Sequence, residues 1–252
     1  MKKSFRVKYP YIAAILIAFL CTFMTALGSA IPQIMGFDVD MQLVVTTIIL
    51  VFSVFIGLII IKNTNIKFSD YGFRKNLKNS YRKVWFYVPL VLIEIIPIAL
   101  SGFSSKVTTI QYITLLFFTV VVGFNEEIFF RGIVFNFLLV KSRKVAIIVS
   151  SVIFGILHLA NAFNGENLFY LILQVIFAFL VGIVLAEIVS ITKSLWLVIL
   201  WHASHDYIAN ITGDSLDSKA LIGLALQVII LLIYAICIWK SSLGEKLVEV
   251  KA

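Results

Sequence analysis

Ionisable side chains stand inside long apolar runs of this sequence, and their types and spacing indicate acid–base chemistry. One run holds Glu126 and Glu127, with Arg131 four residues after the second carboxylate. Glu127 and Arg131 are about one helical turn apart, so we expect them to pair and neutralise each other. Glu126 has Phe130 at the corresponding position and therefore no cation of its own on the helix. It is the carboxylate left to act as a general base.

Two further runs supply all three histidines of the chain. His158 follows Phe154 by four residues, and His202 precedes Asp206 by four. His205 lies three residues after His202 and is the second candidate for a functional histidine on that helix. Amide hydrolysis needs a water nucleophile, a base within hydrogen-bond reach and donors at the developing negative oxygen. A single histidine among apolar residues is more often structural than catalytic, so the prediction depends on the whole set.

The composition requires lipid around most of the molecule. Of the 252 residues, 61% are hydrophobic and 13% are charged, whereas soluble domains have about 45–50% and about 25%. Eight apolar runs are each about as long as a membrane span, and unbroken runs predict helices rather than the strands of a barrel. The predicted fold is an all-α bundle of about eight transmembrane helices, at residues 10–31, 42–61, 84–101, 110–139, 145–163, 168–190, 195–211 and 220–239.

The chain divides into three parts around the ionisable residues. Residues 1–109 are predicted to form three helices with a basic loop, residues 110–210 the core that carries the motifs, and residues 211–252 the last helix and a tail. The first apolar run is about 20 residues long, whereas the core of a signal peptide has about 7–15. We therefore expect this run to be retained as a membrane span.

Lysine and arginine are distributed unequally between the two ends of the predicted bundle. With the N-terminus inside and eight crossings, 18 of the 21 basic residues fall on the inner side. The positive-inside rule then predicts a cell-membrane protein with cytoplasmic N- and C-termini. The loop from Lys62 to Lys83 suits an anionic inner leaflet. This orientation accounts for the net charge of +8, so nucleic-acid binding is not expected.

The depth of the candidate residues can be estimated by counting from the inner basic residues. Glu126, His158 and His202 lie roughly 14 to 22 Å along their helices from the inner face, at 1.5 Å per residue. The three groups are therefore expected at a similar level in the membrane. The same count predicts that the active site is accessible from the cytoplasmic side.

The three motifs together resemble the CPBP family of intramembrane endopeptidases, which includes CAAX proteases and bacteriocin-processing, Abi-like proteins. The resemblance covers about residues 110 to 210. It implies hydrolysis of a peptide bond in a membrane-associated or lipidated protein or peptide. By position, Glu126 would activate a water that His158 helps to hold. Glu127 and Arg131 would brace the helix as structural support.

The resemblance also implies that His202 and Asp206 stabilise the oxyanion. An ionised Asp206 would repel that oxygen, so it must be protonated, orient His202 or bind a cation. Glu126, His158 and His202 also form a possible zinc set. The preferred mechanism requires no cofactor, because the motifs do not present a His-Glu-x-x-His arrangement on one helix.

Two other functions are compatible with the same residues. A proton-coupled secondary transporter would use Glu94, Glu126 and Glu187 with the histidines as a relay. Pro97 after Glu94 is a potential helix break of the kind that transporters use, but the sequence has no evident internal repeat. A non-catalytic membrane immunity or signalling partner would use the motif residues only to hold the bundle together.

Overall fold

The computed structural model describes residues 5–64, 66–74, 87–164, 168–213 and 217–244. Within these ranges the chain is helical, with an isolated antiparallel bridge between Phe103 and Thr212. The α-helices are α1 (Phe5–Lys8), α2 (Pro10–Ile34), α3 (Val39–Lys62), α4 (Val88–Ser101), α5 (Thr109–Glu127), α6 (Phe135–Leu138), α7 (Arg143–Leu157), α8 (Leu168–Thr192), α9 (Trp196–Ile211) and α10 (Ser218–Gly244). The predicted all-α fold is confirmed for this part of the chain.

Six helical segments in the described ranges are long and apolar enough to cross a membrane. They are α2, α3, the segment Thr109–Leu138, the segment Arg143–Ala162, α8 and most of α10. The third and seventh predicted spans correspond to α4 with 14 residues and α9 with 16. Both are shorter than the usual span of about 20 residues. A multi-pass membrane protein is confirmed, and the count of eight spans stays a prediction.

Most described basic residues gather at one end of the bundle, which we call the basic end. There the Arg6 guanidinium donates to the Thr64 carbonyl oxygen at 3.3 Å. Arg143 donates to the Ser242 carbonyl oxygen at 3.2 Å. The other members are Lys8, Lys62, Lys67, Arg74, Lys141, Lys144, Lys193 and Lys240. The positive-inside interpretation requires this arrangement.

Several residues that entered the charge argument lie outside the described ranges. They are Lys2, Lys3, Lys75, Lys78, Arg82, Lys83, Glu166, Asp214, Lys246 and Lys251. The same holds for residues 84–86 of the third predicted span and for residue 65 and residues 75–83 of the basic loop.

Short polar signals start two of the helices that carry the site. Thr108 caps α5 and forms a capping box with Gln111, in which each side chain accepts from the other residue's backbone N–H. The Ser142 hydroxyl accepts from the Val145 backbone N–H at 3.1 Å and so caps α7. These caps satisfy N–H groups that the first turn of a helix leaves without partners.

Glycine allows α5 and α9 to pack in close contact. A Cβ added at Gly123 of α5 would lie 3.0 Å from the Ile199 carbonyl oxygen and 3.1 Å from the Ala203 nitrogen of α9. Both neighbours are backbone atoms, which cannot move aside without shifting the helix. The absence of a side chain at Gly123 therefore sets the distance between the helix that carries the glutamates and the helix that carries His202.

Candidate active site

A π-helical turn follows directly after the two glutamates. Glu126 and Glu127 end α5, and residues Ile128–Val134 form the π-helix, in which every side chain is buried. A π-helix has i→i+5 hydrogen bonds and often occurs at functional sites. The regular helix predicted over residues 110–139 is therefore interrupted at the motif by a π-helix. Residue spacing alone does not indicate this interruption.

Glu127 connects the motif helix to Arg131 and to α9. Its Oε1 accepts from Arg131 Nη1 at 2.9 Å and from His202 Nδ1 at 2.7 Å. Glu127 is 0% exposed and Arg131 is 1% exposed, so the two charges neutralise each other away from solvent. The pairing with Arg131 is the one that the spacing predicted. The bond to His202 is new, and it means that Glu127 holds the imidazole as well as the guanidinium.

The other ring nitrogen of His202 faces two carboxylates. Its Nε2 lies 3.6 Å from Glu126 Oε2 and 3.6 Å from Asp206 Oδ2. Both distances exceed a normal hydrogen bond, and such separations are often bridged by water. Glu126 Oε2 is buried and has no hydrogen-bond partner among the described residues. A buried oxygen without a partner is costly, so this atom marks a place where a polar ligand would bind.

His158 stands where α7 changes into the 3₁₀ segment His158–Asn164. Its Nδ1 lies 2.8 Å from the Phe154 carbonyl oxygen, to which it donates, and Nε2 is the nitrogen that remains for a ligand. The Phe154 ring lies 4.7 Å from the His158 ring and 6.2 Å from the His202 ring, both edge-on. The Arg131 guanidinium lies 4.2 Å from the centre of the same ring. Phe154 is therefore the packing centre between the three motifs.

Two cavities adjoin the site, and Phe154 and His158 line both of them. The larger cavity has a volume of about 510 Å³ and is also lined by His202 and Asp206. The smaller cavity, of about 370 Å³, is also lined by Glu126. Both volumes are in the range of ligand-binding pockets. The four candidate catalytic residues thus all line space that a substrate can occupy.

His205 belongs to a second pair of imidazole and carboxylate. Its Nδ1 lies 3.1 Å from Glu94 Oε1 of α4. The His205 ring is stacked between Trp201 and Phe177, with centroid distances of 5.1 and 5.2 Å. His205, the second candidate on α9, therefore lines the larger cavity and is paired with Glu94 rather than with a carboxylate of the motifs.

The possible zinc set consists of Glu126, His158 and His202. Among the residues that the structure describes, no group of three or more His, Cys, Asp or Glu side chains is arranged to hold a metal ion. The three candidates do not fit a metal in this arrangement.

The fold and the site define a helical membrane protein in which buried carboxylates and imidazoles adjoin two cavities, as a membrane-embedded hydrolase requires. Residues 108–208 match the family model of the Rce1-like type II CAAX prenyl endopeptidases, and the match includes every candidate catalytic residue. The predicted resemblance to this family is confirmed over this segment, and with it the prediction of a membrane protease. The match favours neither the transporter nor the immunity interpretation. None of the curated proteins compared with the chain is a significant match.

The close packing at Gly123 provides a test of how the site is assembled. Gly123→Ala is expected to lower the free energy of unfolding by about 1–3 kcal/mol, because the added methyl group meets the backbone of α9. It should also lower peptide cleavage by moving Glu127 away from His202. Thermal unfolding in detergent and cleavage rates measure the two effects.

Gly132→Ala is the matched control for this change. A Cβ at Gly132 would lie 3.5 Å from the Leu195 side chain, which is an ordinary contact. We expect this variant to keep both stability and cleavage. Equal losses in the two variants would contradict the role assigned to the α5–α9 contact.

Proposed function

We propose that this chain hydrolyses a peptide bond of a membrane-associated protein or peptide, with Glu126 as the general base that activates water. The observation that carries the proposal is the buried Glu126 Oε2, which has no hydrogen-bond partner among the described residues and lies 3.6 Å from His202 Nε2. A water bonded to this oxygen would stand beside the imidazole. A base within hydrogen-bond reach of the water is the first requirement of the reaction.

The chemical steps follow from the positions of the ring nitrogens. Glu126 takes a proton from the water while the water oxygen attacks the carbonyl carbon of the substrate, and His158 Nε2 accepts the second hydrogen bond of the water. The carbonyl oxygen becomes negative, and protonated His202 donates to it from Nε2 while Nδ1 remains bonded to Glu127. Glu126 then transfers its proton to the leaving nitrogen as the C–N bond breaks. The products are a carboxylic acid and an amine.

Comparison of membrane proteomes tests this function and identifies the substrate. Membranes from cells that carry the wild type are compared with membranes from cells that carry Glu126→Gln. We expect at least one membrane-associated protein or peptide to accumulate in uncleaved form with the variant. Identical sets of protein termini in the two samples, at equal amounts of inserted protease, would contradict the proposal.

Asp206 is proposed to act at the oxyanion side of His202. Asp206→Asn is expected to keep cleavage within about tenfold of the wild type, since asparagine has the same size and supplies an N–H donor. Asp206→Leu is expected to lower the rate by about 10²–10³, the usual effect of losing an oxyanion group. Initial rates with the identified substrate measure both. A loss with asparagine as large as with leucine would show that the negative charge itself is needed.

We also propose that all eight predicted helices belong to the membrane part, with both termini in the cytoplasm. The clustering of basic residues at one end supports this orientation. The two short helices, α4 and α9, pack within the bundle through contacts such as the bond from Trp201 Nε1 to the Leu90 carbonyl oxygen at 3.1 Å.

A further inference from the structure

Both cavities extend from the site in the same direction. The smaller one is lined by α2 from Cys21 to Gln33. Because α2 has 25 residues, it is about 37 Å long, and Gln33 lies at the end opposite to the basic end. The larger cavity is lined by residues at the ends of α4 and α9 and at the start of α10, including Ser101, Thr212 and Lys219. The two cavities therefore lead away from the basic end.

Helix lengths explain why there is space on this side of the site. α7 ends at Leu157, and its Gly155 packs against Phe179 of α8. α8 continues from Phe179 back to Leu168, which is a distance of about 16 Å. The α-helical part of this segment thus ends well below the end of α8, and the chain continues as the 3₁₀ segment His158–Asn164, in which Asn161 donates to Gln174 of α8. His158, at the start of that segment, therefore lies beneath that end of the bundle.

Contacts between helices join the opposite, basic end. The Leu195 backbone N–H donates to the Gly72 carbonyl oxygen at 3.0 Å, and a Cβ at Gly72 would lie 2.7 Å from the Leu195 side chain. Arg143 bonds the start of α7 to the end of α10. Within the ranges that the structure describes, no residue that lines either cavity belongs to the basic end.

We propose that the substrate reaches Glu126 from the end of the bundle opposite the basic end, and that this end is the non-cytoplasmic face, since the basic end is proposed to lie in the cytoplasm. The substrate class is then a membrane protein or peptide whose cleaved segment lies on that face. Polar side chains in the larger cavity, Gln174, Asn210 and Gln227, provide partners for its backbone. The inference rests on the proposed function, and it differs from the cytoplasmic access predicted from residue counts, which contain no information on where cavities lead.

Cysteine accessibility tests this route without a substrate. The starting protein is the full chain with Cys21→Ala and Cys237→Ala, which has no other cysteine. Thr25→Cys then places a thiol in the smaller cavity, and Ala209→Cys places one in the larger cavity. A charged, membrane-impermeant maleimide is expected to modify both in intact cells. Lys141→Cys at the basic end is the control, and it should react only after the cells are opened.

Three outcomes would overturn the proposal. The first is modification of both cavity cysteines only after the cells are opened, and the second is no modification of them under either condition. The third is modification of Lys141→Cys in intact cells, because the basic end would then face outward. Ile229→Cys, which is on an exposed apolar face of α10, should stay unmodified throughout and controls for reagent that enters the bilayer. Since the readout is labelling, a failure of the hydrolase assignment leaves this result unchanged.

Discussion

Glu126→Gln is expected to lower the rate of peptide cleavage by about 10²–10⁴-fold, the usual contribution of a positioned general base. Glutamine keeps the size and shape of the side chain but cannot take a proton from the attacking water. The variant adds no charge to the buried site, so insertion and stability should be retained. Single-turnover cleavage of the identified substrate in proteoliposomes measures the loss.

Glu187→Gln is the matched control for this substitution. Glu187 is a fully buried glutamate on a membrane helix, and its hydrogen-bond neighbour is Ser242, at 3.5 Å, rather than a histidine of the site. We expect this variant to cleave at the wild-type rate. A fully active Glu126→Gln would exclude Glu126 as the base. Equal losses in both variants would show that removal of any buried carboxylate disturbs the bundle.

Arg131→Met is expected to cause a larger loss of stability than Gly123→Ala. It removes the guanidinium that neutralises the buried Glu127 carboxylate and leaves His202 Nδ1 as its hydrogen-bond partner, and breaking a buried pair in this way costs about 3–5 kcal/mol. Methionine fills much of the volume but does not replace the guanidinium over the Phe154 ring. Unfolding of the purified protein in detergent, followed by circular dichroism, measures the change.

The double variant Glu127→Leu with Arg131→Met separates stability from catalysis. Both charges are removed, so most of the lost stability should return, because apolar residues can replace a buried pair at little cost. Cleavage should not return, since His202 Nδ1 no longer has the carboxylate that orients it. A double variant as unstable as Arg131→Met would refute the charge argument. Wild-type cleavage in the double variant would refute the orienting role of Glu127.

The features that depend on composition or on spacing along one helix are predictable from the sequence. The membrane class follows from the excess of apolar residues. The Glu127–Arg131 pair follows from a separation of four residues, and the pair persists although the helix there is of the π type. Counting residues from the basic residues on the predicted inner side also predicts that Glu126 and His202 lie at a similar depth in the membrane. In the structure, Glu126 Oε2 and His202 Nε2 are 3.6 Å apart.

Contacts between different helices cannot be predicted from composition or from spacing along one helix. The bond between Glu127 and His202 joins residues 75 positions apart, and the one between Glu94 and His205 joins residues 111 positions apart. Each depends on which faces of two helices meet, and Gly123 illustrates that a residue with no chemistry of its own can decide this. The direction of the cavities depends on where neighbouring helices stop, which is a property of the assembled bundle.

The shortness of α4 has a consequence for the surrounding lipid. Its 14 residues extend only about 21 Å, whereas the hydrocarbon layer of a typical bilayer is about 30 Å thick. Val91, Leu92 and Ile95 on this helix are exposed apolar side chains, so acyl chains lie directly against it. A bilayer accommodates such a mismatch by local thinning. If α4 crosses the membrane as proposed above, the bilayer beside the larger cavity is compressed, and the rate of peptide cleavage is expected to depend on the acyl-chain length of the surrounding lipids.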